Sequence, residues 1–168
     1  MVYESYFVEG LENKICSQIF IKLLLACSDS FSLIYFRNSE TEKYKRTTLK
    51  IKQALAPYLL SSKIVTAWPG TSMMGEHTNQ VYLMECYKVL KNNQIFDQIS
   101  VLNRVDTLWD WNYPRFPMDP CFYKDGRVWF QSTIHEHMNK LFLEQHSFPS
   151  SEDIESIGLK LIPCNQHQ

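Results

Sequence analysis

Apolar residues recur at the three-and-four spacing of an amphipathic helix in four segments of the chain. Three of these segments are long, at residues 11–27, 44–58 and 95–105. The fourth is short, begins after the serine pair at 150–151 and stops at Gly158, which is typical of a capped helix. The pattern therefore predicts three or four helices, each with one apolar face.

The second helix carries signals for both of its ends. Ser39 and Glu42 have the spacing of a capping box, in which two side chains satisfy backbone N–H groups of the first turn. Pro57 has no backbone N–H, so a helix must end or bend there. We expect this helix to begin near Ser39 and to stop near Pro57.

Short runs of β-branched, aromatic and aliphatic residues predict strands. The clearest case is a hairpin, because Asp125-Gly126 supplies the positive backbone angles of a tight turn between residues 121–123 and 127–134. A second antiparallel pair is predicted at residues 63–68 and 81–86, joined by a loop at 72–79. Further predicted strands are residues 31–36, 141–143 and 159–162. The strand and helix segments follow one another without a repeat or linker, so we predict one α+β domain, residues 1–168, with an antiparallel sheet and about three or four helices packed on it.

The charge balance argues against nucleic acid as a partner. Seventeen basic and eighteen acidic residues give a net charge of -1, which provides no broad positive field for a polyanion. The local exception is a basic run, interpreted as the solvated face of the second helix: Lys43, Lys45, Arg46, Lys50 and Lys52.

Several features predict a cytoplasmic protein that is not inserted in a membrane. The most apolar stretch, residues 19–26, contains Lys22 and is shorter than the roughly 20 residues that a membrane helix needs. The first residues lack the basic start and the cleavage site of a signal peptide. The five cysteines include no Cys-x-x-Cys pair and are interpreted as reduced thiols: Cys16, Cys27, Cys86, Cys121 and Cys164.

Aromatic residues concentrate in one segment, where eight of the 22 residues from Trp109 to Phe130 are aromatic. One interpretation is a core between the third helix and the hairpin. The other is a partly exposed interaction surface, because Trp, Tyr and Arg dominate binding hot spots and Trp111 and Arg115 lie here. The leading hypothesis is a non-enzymatic protein-binding module, of the immunity or antitoxin kind, with no cofactor and with no pattern that indicates an oligomeric state.

Polar residues at the margin of this segment suggest an alternative chemistry. On an extended strand His135 and His137 would share a face and could ligate one metal ion, with Glu136 as base or supporting group. Further ligands would come from unlinked residues such as Asp119, His77 or Glu144. The alternative is thus a metal-dependent hydrolase, although no GxGxxG, GxxxxGK[ST] or GxSxG motif occurs. The candidate binding residues are Trp111, Arg115, Asp119, His135 and Glu136, beside the charged Asp110.

Short pieces of the chain together resemble a known family. They are Trp68-Pro-Gly-Thr71, Leu108-Trp-Asp-Trp111, Pro114, Pro117-Met-Asp119, Cys121-Phe-Tyr123, Gly126, Trp129-Phe130 and His135-Glu136. Over residues 60–144 the chain resembles small bacterial proteins often labelled stage III sporulation protein AH-like, and the later pieces are the more specific. The resemblance implies a compact bacterial cytoplasmic α+β protein with no established activity. The family favours an acidic residue where this chain has Met118, so only Asp119 is carried over.

Overall fold

The computed structural model describes residues 3–39, 41–71, 80–91, 95–145 and 148–164. These residues form one sheet of eight strands and four α-helices. The helices are α1 (Lys14–Cys27), α2 (Glu42–Leu55), α3 (Ile95–Leu102) and α4 (Ser151–Ser156). The strands are β1 (Tyr3–Glu9), β2 (Ser30–Phe36), β3 (Leu59–Val65), β4 (Tyr82–Lys88), β5 (Met118–Lys124), β6 (Arg127–Thr133), β7 (Met138–Glu144) and β8 (Lys160–Pro163).

The strand order is β3-β4-β2-β5-β6-β7-β1-β8, and every neighbouring pair is antiparallel. The predicted α+β class with an antiparallel sheet is therefore confirmed. The hairpin is the β5–β6 pair, and both Asp125 (φ 52°) and Gly126 (φ 72°) have the positive φ that its tight turn requires. The predicted last strand, β8, lies at one edge of the sheet.

Strand β1 was not predicted from the sequence. It lies inside the sheet between β7 and β8, with Tyr6 opposite Leu141 and Val8 opposite Leu161. Val8 and Leu141 are buried, so β1 contributes to the core. The first strand thus pairs with residues more than a hundred positions later, a relationship that local pattern cannot reveal.

The core joins α1 to the middle of the sheet. The Phe20 ring of α1 meets the Phe130 ring of β6 edge to face, with the ring centres 5.3 Å apart. Phe122 of β5 packs between Phe130 and Phe31 of β2. All four rings are buried, so the aromatic residues of the hairpin form part of the main core.

Helix α1 is present as predicted, and Phe20 and Leu24 of its predicted apolar stripe are buried, but the stripe is only partly correct. The predicted apolar stripe included Ile15 and Ile19, which are 69% and 44% exposed. The buried side chains are Ser17, Phe20, Ile21, Leu24 and Leu25. The polar Ser17 is tolerated inside because its hydroxyl accepts a 2.7 Å hydrogen bond from the Leu108 N–H.

The apolar face of α2 is confirmed, since Tyr44, Thr48, Ile51 and Leu55 are buried. The helix ends before Pro57, also as predicted. The predicted capping box is wrong, because the N-cap is Thr41 and its side chain makes no capping hydrogen bond. The Ser39 hydroxyl instead accepts from the Thr41 N–H ahead of the helix.

Other boundaries shift by a few residues. Strand β3 was predicted at residues 63–68 and occupies Leu59–Val65, and its predicted antiparallel partner is β4. Helix α3 ends at Leu102, and a separate 3-10 turn, Leu108–Asp110, follows it. The predicted loop 72–79, with His77, lies outside the described residues.

The fourth predicted helix is confirmed. Ser150 caps α4 and forms a capping box with Asp153, and Gly158 takes a positive φ after the helix. Among the four described helices, none has the length and apolar character needed to cross a membrane.

Candidate binding surface

Asp119 joins three segments that are distant in sequence. It lies near the start of β5, is 1% exposed and has a left-handed φ of 49°. Its Oδ1 accepts from the Ile134 N–H and its Oδ2 from the Trp68 indole Nε1, each at 2.8 Å. Asp119 therefore holds the Trp68 segment and the 3-10 turn Ile134–Glu136 against β5.

Burial raises the pKa of Asp119 above its ordinary value. The hydrogen bonds from Ile134 and Trp68 and the nearby His135 act in the opposite direction, whereas the negative Glu136 adds to the increase. Both carboxylate oxygens already have donors, and the side chain is closed to solvent. The Asp119 carboxylate is therefore better suited to holding these segments together than to contacting a substrate.

The two histidines do not lie on an extended strand, so the prediction that they share a strand face is wrong. Residues Ile134–Glu136 form a 3-10 turn, and His137 has a left-handed φ of 52°. The His135 Nδ1 lies 3.9 Å from the Asp119 Oδ2, and its Nε2 lies 3.7 Å from the Glu136 Oε1. The His137 ring instead lies 5.1 Å from the Trp109 ring.

A metal centre is not assembled by these side chains. Among the described residues, no three His, Cys, Asp or Glu side chains form a group that could hold a metal ion. His77, another suggested ligand, lies outside those residues. His135 lies in the 3-10 turn Ile134–Glu136, and the His137 ring contacts the Trp109 ring.

Trp111 is fully buried, so the interpretation that it forms an exposed binding surface is wrong for this residue. Its indole Nε1 donates a 3.0 Å hydrogen bond to the Leu102 carbonyl, and its ring lies 5.6 Å from Phe116. Arg115 is exposed and lines a separate cleft of about 180 Å³ with Arg104 and Asp110 among its neighbours. The aromatic segment is mainly core.

A larger groove lies along one side of α2 and has a volume of about 290 Å³. Its walls combine apolar, hydroxyl and cationic groups, and no acidic side chain is among the described residues that line it. We call it the α2 groove, lined by Tyr35, Phe36, Arg37, Ser39, Tyr44, Lys45, Thr48, Leu49, Lys52 and Leu83. Leu49 is 56% exposed at its rim.

A buried polar network fixes one end of the α2 groove. The Lys52 Nζ lies 2.8 Å from the Glu85 Oε1 and 4.3 Å from the centre of the Tyr35 ring. The Tyr87 hydroxyl donates to the other Glu85 oxygen and lies 2.8 Å from the Tyr35 hydroxyl. Lys52 and Tyr35 are therefore held in place by groups beneath the groove.

The edge strand β3 lies beside this region and is exposed along most of its length. Ile64 is opposite Leu83 of the groove, and the Ser62 hydroxyl donates to Glu85. Leu59, Leu60 and Ile64 are all exposed. In the sequence, the groove was indicated only by the basic run at residues 43–52, which was interpreted as a solvated helix face. No sequence pattern indicated that β3 would be an exposed edge strand.

Comparison of the chain with protein-family models, with curated proteins and with solved structures gives no match. The function proposed below is therefore argued from the groove, the edge strand and the Asp119 cluster.

Proposed function

We propose that this protein is a non-enzymatic protein-binding module of the immunity or antitoxin kind, and that it holds an acidic segment of another protein in the α2 groove. The observation that supports it is an apolar groove with cations and no acid among its described lining residues. The bacterial, cytoplasmic setting is part of the proposal and rests on the family resemblance and on the interpretation of the five cysteines as reduced thiols.

The chemistry of the α2 groove favours a polypeptide with both apolar and acidic side chains. Leu49 and Leu83 offer apolar area that a partner would remove from water, which contributes to affinity. Arg37 lines the groove and would orient an acidic group of the partner and accelerate association, while the paired Lys45 and Lys52 would contribute less. The volume of about 290 Å³ accommodates a few side chains rather than a folded domain.

Nucleic acid fits the same surface less well. Lys45 is paired with Glu42 and Lys52 with Glu85, so their charges are partly compensated within the chain. Arg37 makes no ion pair with any residue that the structure describes. Few phosphates would be neutralised by such a surface, and a polyanion would gain nothing from the exposed Leu49.

A metal-dependent hydrolase is less compatible with the geometry. His135 and His137 have different neighbours, Asp119 and Trp109 respectively. The Asp119 oxygens accept from buried donors, so this carboxylate is poorly placed to act as a base. We therefore propose a structural role for this cluster.

The proposal is tested by capture with tagged protein from a bacterial lysate, using Leu49→Glu to place a negative charge at the groove. Ile15→Glu is the matched control, because it makes the same type of change at an exposed aliphatic residue of another helix. We expect wild type and Ile15→Glu to retain one protein that Leu49→Glu loses.

That candidate would then be purified and mixed with the full chain. A stoichiometric complex that forms with wild type, weakens at least tenfold with Leu49→Glu, and weakens with salt but less steeply than binding to a polyanion would support the proposal. Identical capture by all three proteins, or retention of nucleic acid with a steep salt dependence, would contradict it.

A further inference from the structure

Among the residues that the structure describes, strand β3 is an open edge of the sheet. It is the first strand in the sheet order, is seven residues long and contains no proline. Six of its residues are exposed, three of them large and apolar: Leu59, Leu60 and Ile64. An exposed apolar edge offers unpaired backbone N–H and C=O groups to another strand.

The opposite edge lacks these properties. Strand β8 has four residues, begins with the exposed Lys160 and ends with Pro163, which has no N–H to donate. Short length, lysine and proline are the usual protection of a sheet edge. In β3 the only irregularity of register lies between Leu59 and Ser61, so the strand is regular from Ser61 to Val65.

We propose that two copies of this chain associate through antiparallel pairing of their β3 strands, with the two-fold axis at Ser62. This register brings Leu60 opposite Ile64 of the second copy and Leu59 opposite Val65, so each apolar pair joins the regular end of one strand to the irregular start of the other. Ser61 lies opposite Lys63, so the two lysines are diagonal rather than directly opposed. The sequence of β3 is thus self-complementary about its centre, with apolar residues facing apolar residues.

Neighbouring registers that keep the same faces of the two sheets together are worse. An axis at Ser61 would place Leu60 opposite Ser62 and Leu59 opposite Lys63. An axis at Lys63 would bring the two Lys63 side chains face to face, which is unfavourable. Of these three registers, only the one centred on Ser62 avoids both mismatches while pairing all seven residues of the strand. This agreement with two-fold symmetry favours a second copy over an unrelated strand.

The association state of the full chain tests this proposal by sedimentation or light scattering over a dilution series. We expect a mass twice that of one chain, and a dissociation constant raised at least about tenfold by Leu60→Lys. Leu49→Lys is the matched control, because Leu49 is about as exposed as Leu60 but lies on α2. The assembly formed by Leu49→Lys is expected to have the same mass as that of wild type. Far-ultraviolet circular dichroism checks that each variant is folded.

The register is tested separately by oxidative cross-linking. Ser62→Cys should give a covalent dimer because the two thiols would meet at the axis, whereas Lys63→Cys and wild type should give little. A monomeric wild type overturns the proposal. A dimer that is not weakened by Leu60→Lys and does not cross-link through position 62 overturns it as well. An unrelated protein bound at β3 in place of a second copy would also overturn it.

Failure of this pairing is distinguishable from failure of the proposed groove function. Leu49→Glu is expected to weaken partner binding in the α2 groove, and Leu60→Lys is expected to lower the mass of the assembly. Each variant is expected to leave the other measurement unchanged.

Discussion

A Cβ atom on Gly70 would lie 2.3 Å from the Thr133 Oγ1, far inside van der Waals contact. Gly70 also has a φ of +88°, a conformation that favours glycine. It belongs to the tight turn in which Trp68 bridges to Thr71. The close approach to Thr133 on β6 therefore sets the position from which Trp68 reaches Asp119.

We expect Gly70→Ala to lower the free energy of unfolding by about 2 kcal/mol or more, because backbone strain and overpacking combine there. Urea denaturation measures the loss. Gly126→Ala is the control, since Gly126 has a φ of +72° but no atom within 4 Å of an added Cβ. Equal losses at the two sites would show that the contact with Thr133 is unimportant.

The Trp68–Asp119 hydrogen bond should appear as an energetic coupling. Asp119→Ala leaves the buried donors of Trp68 and Ile134 without their acceptor, and we expect a loss of about 2 kcal/mol. In a Trp68→Phe background one of those donors is absent, so the same change should be less destabilising. A double-mutant cycle measures the difference, and strictly additive losses would contradict the coupling.

The raised pKa of Asp119 predicts a pH dependence of stability. The folded chain keeps a proton on this carboxyl at pH values where the unfolded chain, near 3.8, has released it. The stabilisation associated with the neutral form is complete below that value and is lost as pH rises through the folded pKa. The advantage of wild type over Asp119→Ala should therefore be greatest at low pH; an advantage that grows with pH would contradict the assignment.

The ion pair beneath the α2 groove should matter for stability because Glu85 is 7% exposed. We expect Lys52→Met to lower the free energy of unfolding by about 2 kcal/mol, since among the described residues the carboxylate then keeps only the Ser62 and Tyr87 hydroxyls as donors. Adding Glu85→Gln removes the unpaired charge and should recover part of the loss. Denaturant unfolding of the single and double variants tests this, and a double variant less stable than Lys52→Met would contradict it.

The sequence by itself determined the elements that depend on neighbouring residues. The buried face of α2, the Asp125-Gly126 hairpin and the Ser150 cap of α4 were all predicted correctly. Helical spacing, positive backbone angles and capping are properties of a few consecutive residues, so they can be read without the rest of the chain.

The tertiary structure alone decided which surfaces remain open and which polar groups meet. Trp68 and Asp119 are 51 positions apart, and β1 pairs with strands at the far end of the chain. The sequence left open whether Trp111 belongs to the core or to a binding surface and gave no sign of the β3 edge; Trp111 is buried and β3 is exposed. Burial is set by the sum of contacts from distant segments, which local spacing does not encode.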